Sequence, residues 1–375
     1  MLLTPIILFV ILMILLYVPP VQNFIRKQAT AIASDATGMN ISVERIDLRF
    51  PLNLLVRGVQ VVQSENDAVD IQHPDTLLNL GSLNVRVQAW PLLQGRVEVD
   101  DITLQQVAVN SSTLLEGMHI KGTLGRFFLE SHGIDLKKEN AVLNSVELSN
   151  THVQVILADT AEAPKDTVET ALNWRIALHN LKLKNVSVDL QMPLDSMTLA
   201  ANIGDASIED ANADLKRQFY GWRKFALTGT AVNYDSGTAA PVEGFDASHI
   251  ALRDIRIGID SVMSCGRDMN AVIREFSMYD RSGLTVTSLT GRLFADSTLI
   301  RVPHLQLTTP HSEMNLTAQT YWKLVDIPTT GRLSARFNAN IGKQDVLLFA
   351  GGLPETFKEA YPCLLYTSPS PRDCS

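Results

Sequence analysis

The stretch ITLQQVAV, residues 102–109, alternates apolar and polar side chains but slips once in the middle, giving the pattern hxhxxhxh, where h is apolar. Strict alternation is typical of a half-buried β-strand, because successive side chains point to opposite faces of a sheet. The same slipped pattern recurs in LLVRGVQV (54–61), LKLKNVSV (181–188) and IALRDIRI (250–257), and more weakly in VELSNTHV (146–153). The recurrence predicts a repeated β structure.

The slip has a local explanation. A one-residue slip would turn the second half of the strand onto the other face. An extra residue accommodated as a β-bulge would instead keep all four apolar residues on one face and bend the strand. The slot before the third apolar position holds Gly58, Gln106, Asn150, Asn185 and Asp254. Four of these five are types that adopt left-handed or turn backbone at low cost, so we interpret the repeat as bulged, curved strands. Chance matches in a Val/Leu-rich chain would not place Gly, Asn or Asp repeatedly in one slot.

Composition excludes several function classes. The chain has 375 residues with a net charge of −8 and no Lys/Arg cluster, which argues against binding nucleic acid or a polybasic lipid surface. Aromatic residues make up only 6%, too few for base-stacking platforms.

No catalytic, metal-binding or cofactor motif is found. The eight histidines are scattered singly, without a metal-ligand spacing, and no nucleophile elbow, P-loop or dinucleotide fingerprint occurs. Cys265 has no neighbouring cationic cluster that would activate its thiol. We therefore expect no enzyme activity, no metal and no cofactor.

The chain begins with an apolar run, residues 2–18, that carries no charge. Seventeen residues of helix reach about 26 Å, slightly short of the ~30 Å hydrocarbon core. A cleaved signal peptide is the alternative, but the small residues of ATAIA lie far behind the run. We expect an uncleaved anchor, continued by a helical extension to residue 37, with the rest of the chain outside the cytoplasm. The absent basic flank suggests that a short segment precedes Met1. The anchor positions are Ile6, Leu8, Val10, Leu12, Leu15 and Val18.

The other end, CLLYTSPSPRDCS (363–375), resembles a translated sequencing adaptor of the transposase type. We expect it to be an artefact and the native chain to be an N-terminal fragment that continues beyond residue 362.

Between these ends, short alternating runs separated by Gly, Asn, Asp and Pro predict a meander of antiparallel strands over residues 38–341. Residues 161–169 are predicted to form a loop. Residues 208–224 and 343–360 are predicted as short helices, the latter within a segment, 342–362, that is either helical or the start of a further repeat.

Many strands with one apolar face and few helices to cover it would present an aggregation hazard. Three solutions remain open: a second sheet packed as a sandwich, closure into a barrel, or a curved trough whose floor holds an apolar ligand. Recurrent bulges favour curvature, and a trough with an apolar floor suits acyl chains, held at about 0.8 kcal/mol per buried CH₂.

The order of segments carries a resemblance. The end of the anchor, LLYVPPVQNFIRKQAT, is followed by GMNISVERIDLRFPLNLLVRGVQVV and by repeats such as VEVDDITLQQVAVN and WRIALHNLKLKNVSVDL. This order resembles the N-terminal portion of the AsmA-like superfamily, in its TamB (translocation and assembly module) branch as found in Bacteroidota. The resemblance implies a long, taco-like β-groove in the periplasm that moves phospholipid between inner and outer membranes. It also implies a far C-terminal domain, absent here, that docks onto an outer-membrane barrel partner of the barrel-assembly family.

These observations lead to two main hypotheses about function. The first is a single-pass inner-membrane protein whose periplasmic groove conducts phospholipid toward the outer membrane; the second is a scaffold that helps insert outer-membrane proteins with the barrel partner. An anchored, adhesin-like sandwich with a closed core is a third, weaker alternative. In the first, phospholipid acyl chains would contact sixteen groove-lining positions, although each could equally face another sheet. They are Leu54, Val56, Val59, Val61, Ile102, Leu104, Val107, Val109, Leu181, Leu183, Val186, Val188, Ile250, Leu252, Ile255 and Ile257.

Overall fold

The structure is a computed structural model. It describes residues 19–49, 52–63, 76–88, 98–111, 117–135, 138–157, 173–242, 244–326 and 332–350. The chain divides into two compact units. The first comprises Met1–Thr170 and Trp174–Val188, and the second comprises Ala171–Asn173 and Asp189–Ser375. The expected anchor at residues 2–18, the loop at 161–169 and the adaptor-like tail lie outside the described residues.

The first unit is an antiparallel sheet flanked by one helix. The helix and strands are, in chain order, α1 (Pro19–Thr37), β1 (Asn40–Arg49), β2 (Asn53–Val62), β3 (Thr76–Val87), β4 (Val99–Asn110), β5 (Met118–Asp135), β6 (Asn140–Leu157) and β7 (Arg175–Met192), whose last residues belong to the second unit. Each strand neighbours the next in sequence, as the predicted meander requires.

The second unit repeats this organisation. After a single 3-10 turn, Pro193–Asp195, it contains β8 (Met197–Asp214), β9 (Phe219–Ser236), β10 (His249–Cys265), β11 (Asp268–Asp280), β12 (Thr285–Val286), β13 (Ser288–Ala295), β14 (Leu299–Thr308), β15 (Glu313–Tyr321), α2 (Trp322–Asp326), β16 (Leu333–Asn340) and α3 (Lys343–Ala350). The strands again follow chain order, except that β12 pairs only with β11, which continues the sheet through β13. The protein is therefore mostly β, with open antiparallel sheet, as predicted.

One predicted helix is wrong. Residues 208–224 form the end of β8, a turn and the start of β9. Asp210 has a left-handed backbone, with φ of 51°, and the apolar–polar alternation is interrupted there. Because the interruption spaces apolar residues three apart, the sequence imitates the periodicity of a helix. The second predicted helix is confirmed as α3 over Lys343–Ala350, while residues 351–360 lie outside the described part of the chain.

Helix α1 lies along the outer edge of β1. The Arg26 guanidinium donates hydrogen bonds to the carbonyls of Val43, at 3.1 Å, and Glu44, at 2.9 Å. The Ser34 hydroxyl accepts one from the Ile41 N–H, at 3.1 Å. These contacts occupy backbone groups that an edge strand otherwise presents to solvent. Within the described residues no helix is both long and apolar enough to cross a bilayer.

Helix α3 is attached to the turn between β14 and β15 by a buried polar cluster. The Asp345 carboxylate accepts hydrogen bonds from the hydroxyls of Thr309 and Ser312, and all three residues are buried. A neighbouring ring contact joins Phe349 of α3 to Phe245, with centroids 5.4 Å apart. Together these contacts attach α3 to two connections of the second unit.

Candidate apolar binding face

The slot before the third apolar position is left-handed in all five copies of the pattern. Gly58, Gln106, Asn150, Asn185 and Asp254 have φ between 51° and 61°. The left-handed backbone predicted for this slot is therefore confirmed, even at Gln106, where the residue type gave no signal. Asp210, Gly229 and Ser261, within β8, β9 and β10, share the same backbone geometry.

The predicted one-sided bulge is wrong for β1 to β6. Val59 lies opposite Val43, and Arg57 lies opposite Arg45, so equal numbers of residues separate the pairs on both strands. The same holds across the left-handed residues Gln106 and Asn150. The apolar–polar alternation therefore shifts by one residue at the same level in both strands of each pair, along one line across the sheet. Neither strand contains an extra residue at this line. In the first unit register shifts occur elsewhere, for example between Arg86 and Val87. At the repeated pattern a register shift occurs in the second unit, between Leu252 and Ile255 of β10.

Glycines lie opposite two of the left-handed residues, Gln106 and Asn150. A Cβ on Gly81 would come within 2.9 Å of the Gln106 Cβ, and a Cβ on Gly125 within 2.8 Å of the Asn150 Cβ. Asn150 also accepts a hydrogen bond, through Oδ1, from the Asn185 amide at 2.9 Å. We call this line of interrupted pairing the slip line. Its residues in the first unit are Glu44, Gly58, Gly81, Gln106, Gly125, Asn150 and Asn185.

The predicted lining residues of β2 and β4 belong to four continuous rows that cross six strands. Cross-strand partners place their side chains on the same face, so each row defines one face of the sheet. On one side of the slip line the rows are Leu48–Leu54–Val85–Ile102–Leu129–Val146 and Ile46–Val56–Leu83–Leu104–Phe127–Leu148. On the other side they are Val43–Val59–Leu80–Val107–Leu124–Thr151 and Ile41–Val61–Leu78–Val109–Gly122–Val153. We call this surface the apolar face.

The opposite face is mostly polar, although Leu55 and Phe128 also lie on it. One of its rows is Arg45–Arg57–Ser82–Gln105–Arg126–Ser149, and another is Arg49–Asn53–Arg86–Asp101–Glu130–Ser145. Arg86 forms a salt bridge with Asp101 at 3.0 Å, and Arg126 pairs with Glu147 at 3.6 Å. The sheet of the first unit is thus two-sided, and its polar side is suited to water.

No second layer covers the apolar face within the described residues of the first unit. Apart from neighbours in the sheet, the substantial contacts there are those of α1 with the edge strand β1. Of the sixteen predicted lining residues, twelve are half-buried, and Val109 and Val188 are 39% and 38% exposed. No large side chain in the described chain is less than 2% exposed, as the centre of a sandwich would require.

Several of the most buried positions follow a left-handed residue, although Leu77 and Ala295, each 3% exposed, do not, and Val59 and Val107, which do, are half-buried. The residues directly after left-handed residues in β6, β7, β9 and β10 are Thr151, Val186, Thr230 and Ile255, with exposures of 6%, 6%, 4% and 5%. In these four strands the side chain after the left-handed residue is therefore buried among its strand neighbours.

The second unit carries its own apolar rows. In β10, Leu252 lies opposite Val232, Ile257 opposite Leu227, and Ile250 opposite Tyr234 of β9. The rows extend into β8 through Leu199, Ala201 and Ala206.

The remaining predicted residues lie in β7, where they alternate with the exposed Lys182, Lys184 and Asn185. They are Leu181, Leu183, Val186 and Val188.

The sequence interpretation missed the contributions of β1, β3 and β5. ISVERIDL (41–48) and LNLGSLNV (78–85) have the same slipped pattern, and the row register places their apolar residues beside the predicted ones. Matching the whole pattern, without the left-handed slot, would have found them. Their residues on the slip line, Glu44 and Gly81, are not left-handed.

No group of three or more His, Cys, Asp or Glu side chains is arranged to hold a metal ion within the described residues. No protein-family model matches the chain, and no curated protein gives a significant sequence match.

Proposed function

We propose that the apolar face binds phospholipid acyl chains and that the protein is a membrane-anchored, non-enzymatic conduit carrying phospholipid from the inner toward the outer membrane. The observation that supports this most directly is the set of four continuous apolar rows with no covering layer among the described residues. The expected anchor at residues 2–18 and a periplasmic location complete the proposal.

The size of the face supports a lipid ligand. Six strands about 4.8 Å apart span about 24 Å, and the rows extend for about 23 Å along each strand. An outline of roughly 550 Å² lies at the upper end of the ~300–600 Å² that the largest apolar patch of a soluble monomer covers, and patches of this size are often functional. Each methylene group placed on it would gain about 0.8 kcal/mol relative to water.

The continuity of the rows supports transfer as well as binding. Each row passes from strand to strand without a charged residue: Val56 is followed by Leu83, Leu104 and Phe127. A hydrocarbon chain moving across the strands would therefore meet no desolvated charge, which is the main barrier to movement along an apolar surface. The polar opposite face would keep the protein in water while the ligand moves.

The test uses adjacent positions of β4 on opposite faces. Leu104 belongs to an apolar row, whereas Thr103 lies between Asn84 and Phe128 in a row of the opposite face. A photo-crosslinking amino acid is placed at each position in the full, membrane-embedded chain, and mass spectrometry then identifies the crosslinked molecules. We expect phospholipid adducts at position 104 and few at position 103.

Equal labelling at both positions, or protein adducts alone at position 104, would contradict the conduit. Crosslinks from position 104 to outer-membrane barrel proteins would favour the scaffold alternative. A second variant, Val107→Asp, adds a charge to the apolar face. It should reduce lipid adducts at position 104 while the strand signal in circular dichroism persists, because Val107 is only half-buried and no described residue forms a layer over it.

A further inference from the structure

A second candidate site lies in the second unit, at a bulge of β14. Val302 lies opposite Ala318, but Leu305 lies opposite Leu316, so β14 has an extra residue at Pro303 and His304. Pro303 has no N–H to donate to a neighbouring strand. An open cavity of about 500 Å³ lies here, lined by Arg301, Pro303, Thr317, Gln319, Ser334 and Arg336 among others.

The register gathers these polar side chains on one face. Arg301 lies opposite Gln319, which lies opposite Ser334 of β16. Arg336 is two residues beyond Ser334 and lies opposite Thr317. Residues two apart in a strand share a face, so both arginines flank β15 on the same side. The two outer strands are about 10 Å apart, a distance that two long arginine side chains can bridge through one small ligand.

The charges of the cavity are unbalanced. Among the described residues, neither the Arg301 nor the Arg336 guanidinium forms a hydrogen bond or a salt bridge, and Arg301 has only a longer-range attraction to Asp296. Arg332, just before β16, adds a further positive charge. This local excess occurs in a chain with a net charge of −8. Two guanidinium groups facing one cavity repel each other unless an anion lies between them.

The neighbouring groups are donors suited to an oxyanion. The Gln319 amide and the Ser334 hydroxyl line the same cavity, whereas the Thr317 hydroxyl already donates to the Pro303 carbonyl at 3.3 Å. Arginine forks match phosphate oxygens in pairs, with stronger hydrogen bonds than neutral donors form. Among the described residues that line the cavity there is no carboxylate to compete for the guanidinium groups.

We propose that Arg301 and Arg336, with Gln319 and Ser334, form a binding site for a phosphate group. Such a group is carried by an anionic lipid headgroup or by a small soluble phosphate. Ala318 and Ala335 also line the cavity. The register nevertheless places the polar side chains on the face opposite to those of the row Val302–Ala318–Ala335. The four apolar rows proposed to contact acyl chains belong to the first unit, so this proposal does not depend on them.

The experiment measures binding to the purified full chain by isothermal titration calorimetry. The probes are inorganic phosphate, glycerol 3-phosphate, and vesicles of phosphatidylcholine with or without phosphatidic acid. Arg301→Gln and Arg336→Gln should each weaken binding about tenfold, as expected for the loss of a charge-assisted hydrogen bond. Arg336→Lys, which keeps the charge but loses the fork, should weaken it less.

Arg253→Gln is the matched control, because Arg253 is an exposed strand arginine of the same unit and lies outside the cavity. It should bind like the unaltered chain. Arginine-dependent binding to phosphatidic acid vesicles alone would identify a lipid headgroup, and arginine-dependent binding to the soluble phosphates alone would identify a free phosphate. No saturable binding of any probe, or equal weakening by Arg253→Gln, would overturn the proposal.

Discussion

Gly125 of β5 lies so close to Asn150 of β6 that a Cβ at position 125 would come within 2.8 Å of the Asn150 Cβ and 2.9 Å of its carbonyl oxygen. The contact involves backbone, which cannot rotate away as a flexible side chain can. This close approach exists because Asn150 is left-handed at the slip line.

Replacing Gly125 with Ala should therefore destabilise the first unit by about 1–3 kcal/mol, the usual cost of overpacking. Urea unfolding followed by circular dichroism measures the change. Gly122 in the same strand is the control, because a Cβ there would come no closer than 3.4 Å to any atom. Gly122→Ala should change the unfolding free energy by less than about 0.5 kcal/mol. Equal effects at the two glycines would refute the close contact.

Gln106 and its neighbour Gln105 should respond to substitution in opposite directions. Gln106 is left-handed, with φ of 55°, a conformation that costs a non-glycine residue about 1–2 kcal/mol. Gln106→Gly should be neutral or stabilising by up to about 1 kcal/mol, and Gln106→Val destabilising by about 1–2 kcal/mol. At Gln105, an ordinary strand position, Val should be tolerated and Gly should cost about 0.5–1 kcal/mol. The same urea titrations test all four variants. If Gly and Val had the same order of stability at both positions, the left-handed backbone at Gln106 would be contradicted.

Charges at the predicted lining positions should be tolerated according to the exposure of each position. Val109 is 39% exposed and Val186 is 6% exposed. Val109→Asp should lower the free energy of unfolding by less than about 1 kcal/mol, because the carboxylate stays in water. Val186→Asp should lower it by about 2–4 kcal/mol. A large cost at Val109, measured by urea unfolding, would mean that another layer covers this part of the face.

Stability should depend on pH through the turn between β13 and β14. The Thr298 N–H, the Thr298 hydroxyl and the Leu299 N–H hold the pKa of the Asp296 carboxyl below its ordinary value of 3.8. The ionised form is thus favoured by folding, so its contribution is present above pH 3.8 and is lost as the pH falls through the lower folded-state pKa.

Asp296→Asn should accordingly lower the Tm at pH 7. The difference in Tm from the unaltered chain should shrink as the pH falls below 3.8. Thermal unfolding across a pH series measures it. Asp268→Asn, at an exposed position at the start of β11, should leave the Tm at pH 7 unchanged. A difference in Tm that stays constant into strong acid would rule out the ionised carboxyl as its source.

Much of the fold could be predicted from single strands, because alternation and the slip are local properties of the chain. Asn150, Asn185 and Asp254 showed by their residue type where the backbone becomes left-handed. Whether the neighbouring strand slips at the same point depends on the register between strands, and no single strand contains that information. For this reason the sequence predicted a bulge at Gly58, where the structure has paired slips.

For the same reason, only part of the candidate site could be predicted from the sequence. Positions such as Leu104 and Val56 were found from the pattern, but their row partner Leu83 was missed because Gly81, not a left-handed residue, marks the slip in β3. The phosphate-binding cavity had no sequence signal. Arg301 and Arg336 are 35 residues apart in the sequence, and only the pairing of three strands brings them to one face.

Helix α1 has a consequence for self-association. Arg26 and Ser34 bind backbone groups of Ile41, Val43 and Glu44, so a second copy of the chain could pair with this part of β1 only by displacing them. Fibril-like growth through this border of the first unit would first require the helix to detach. Conditions or substitutions that release α1 should therefore promote polymerisation through β1.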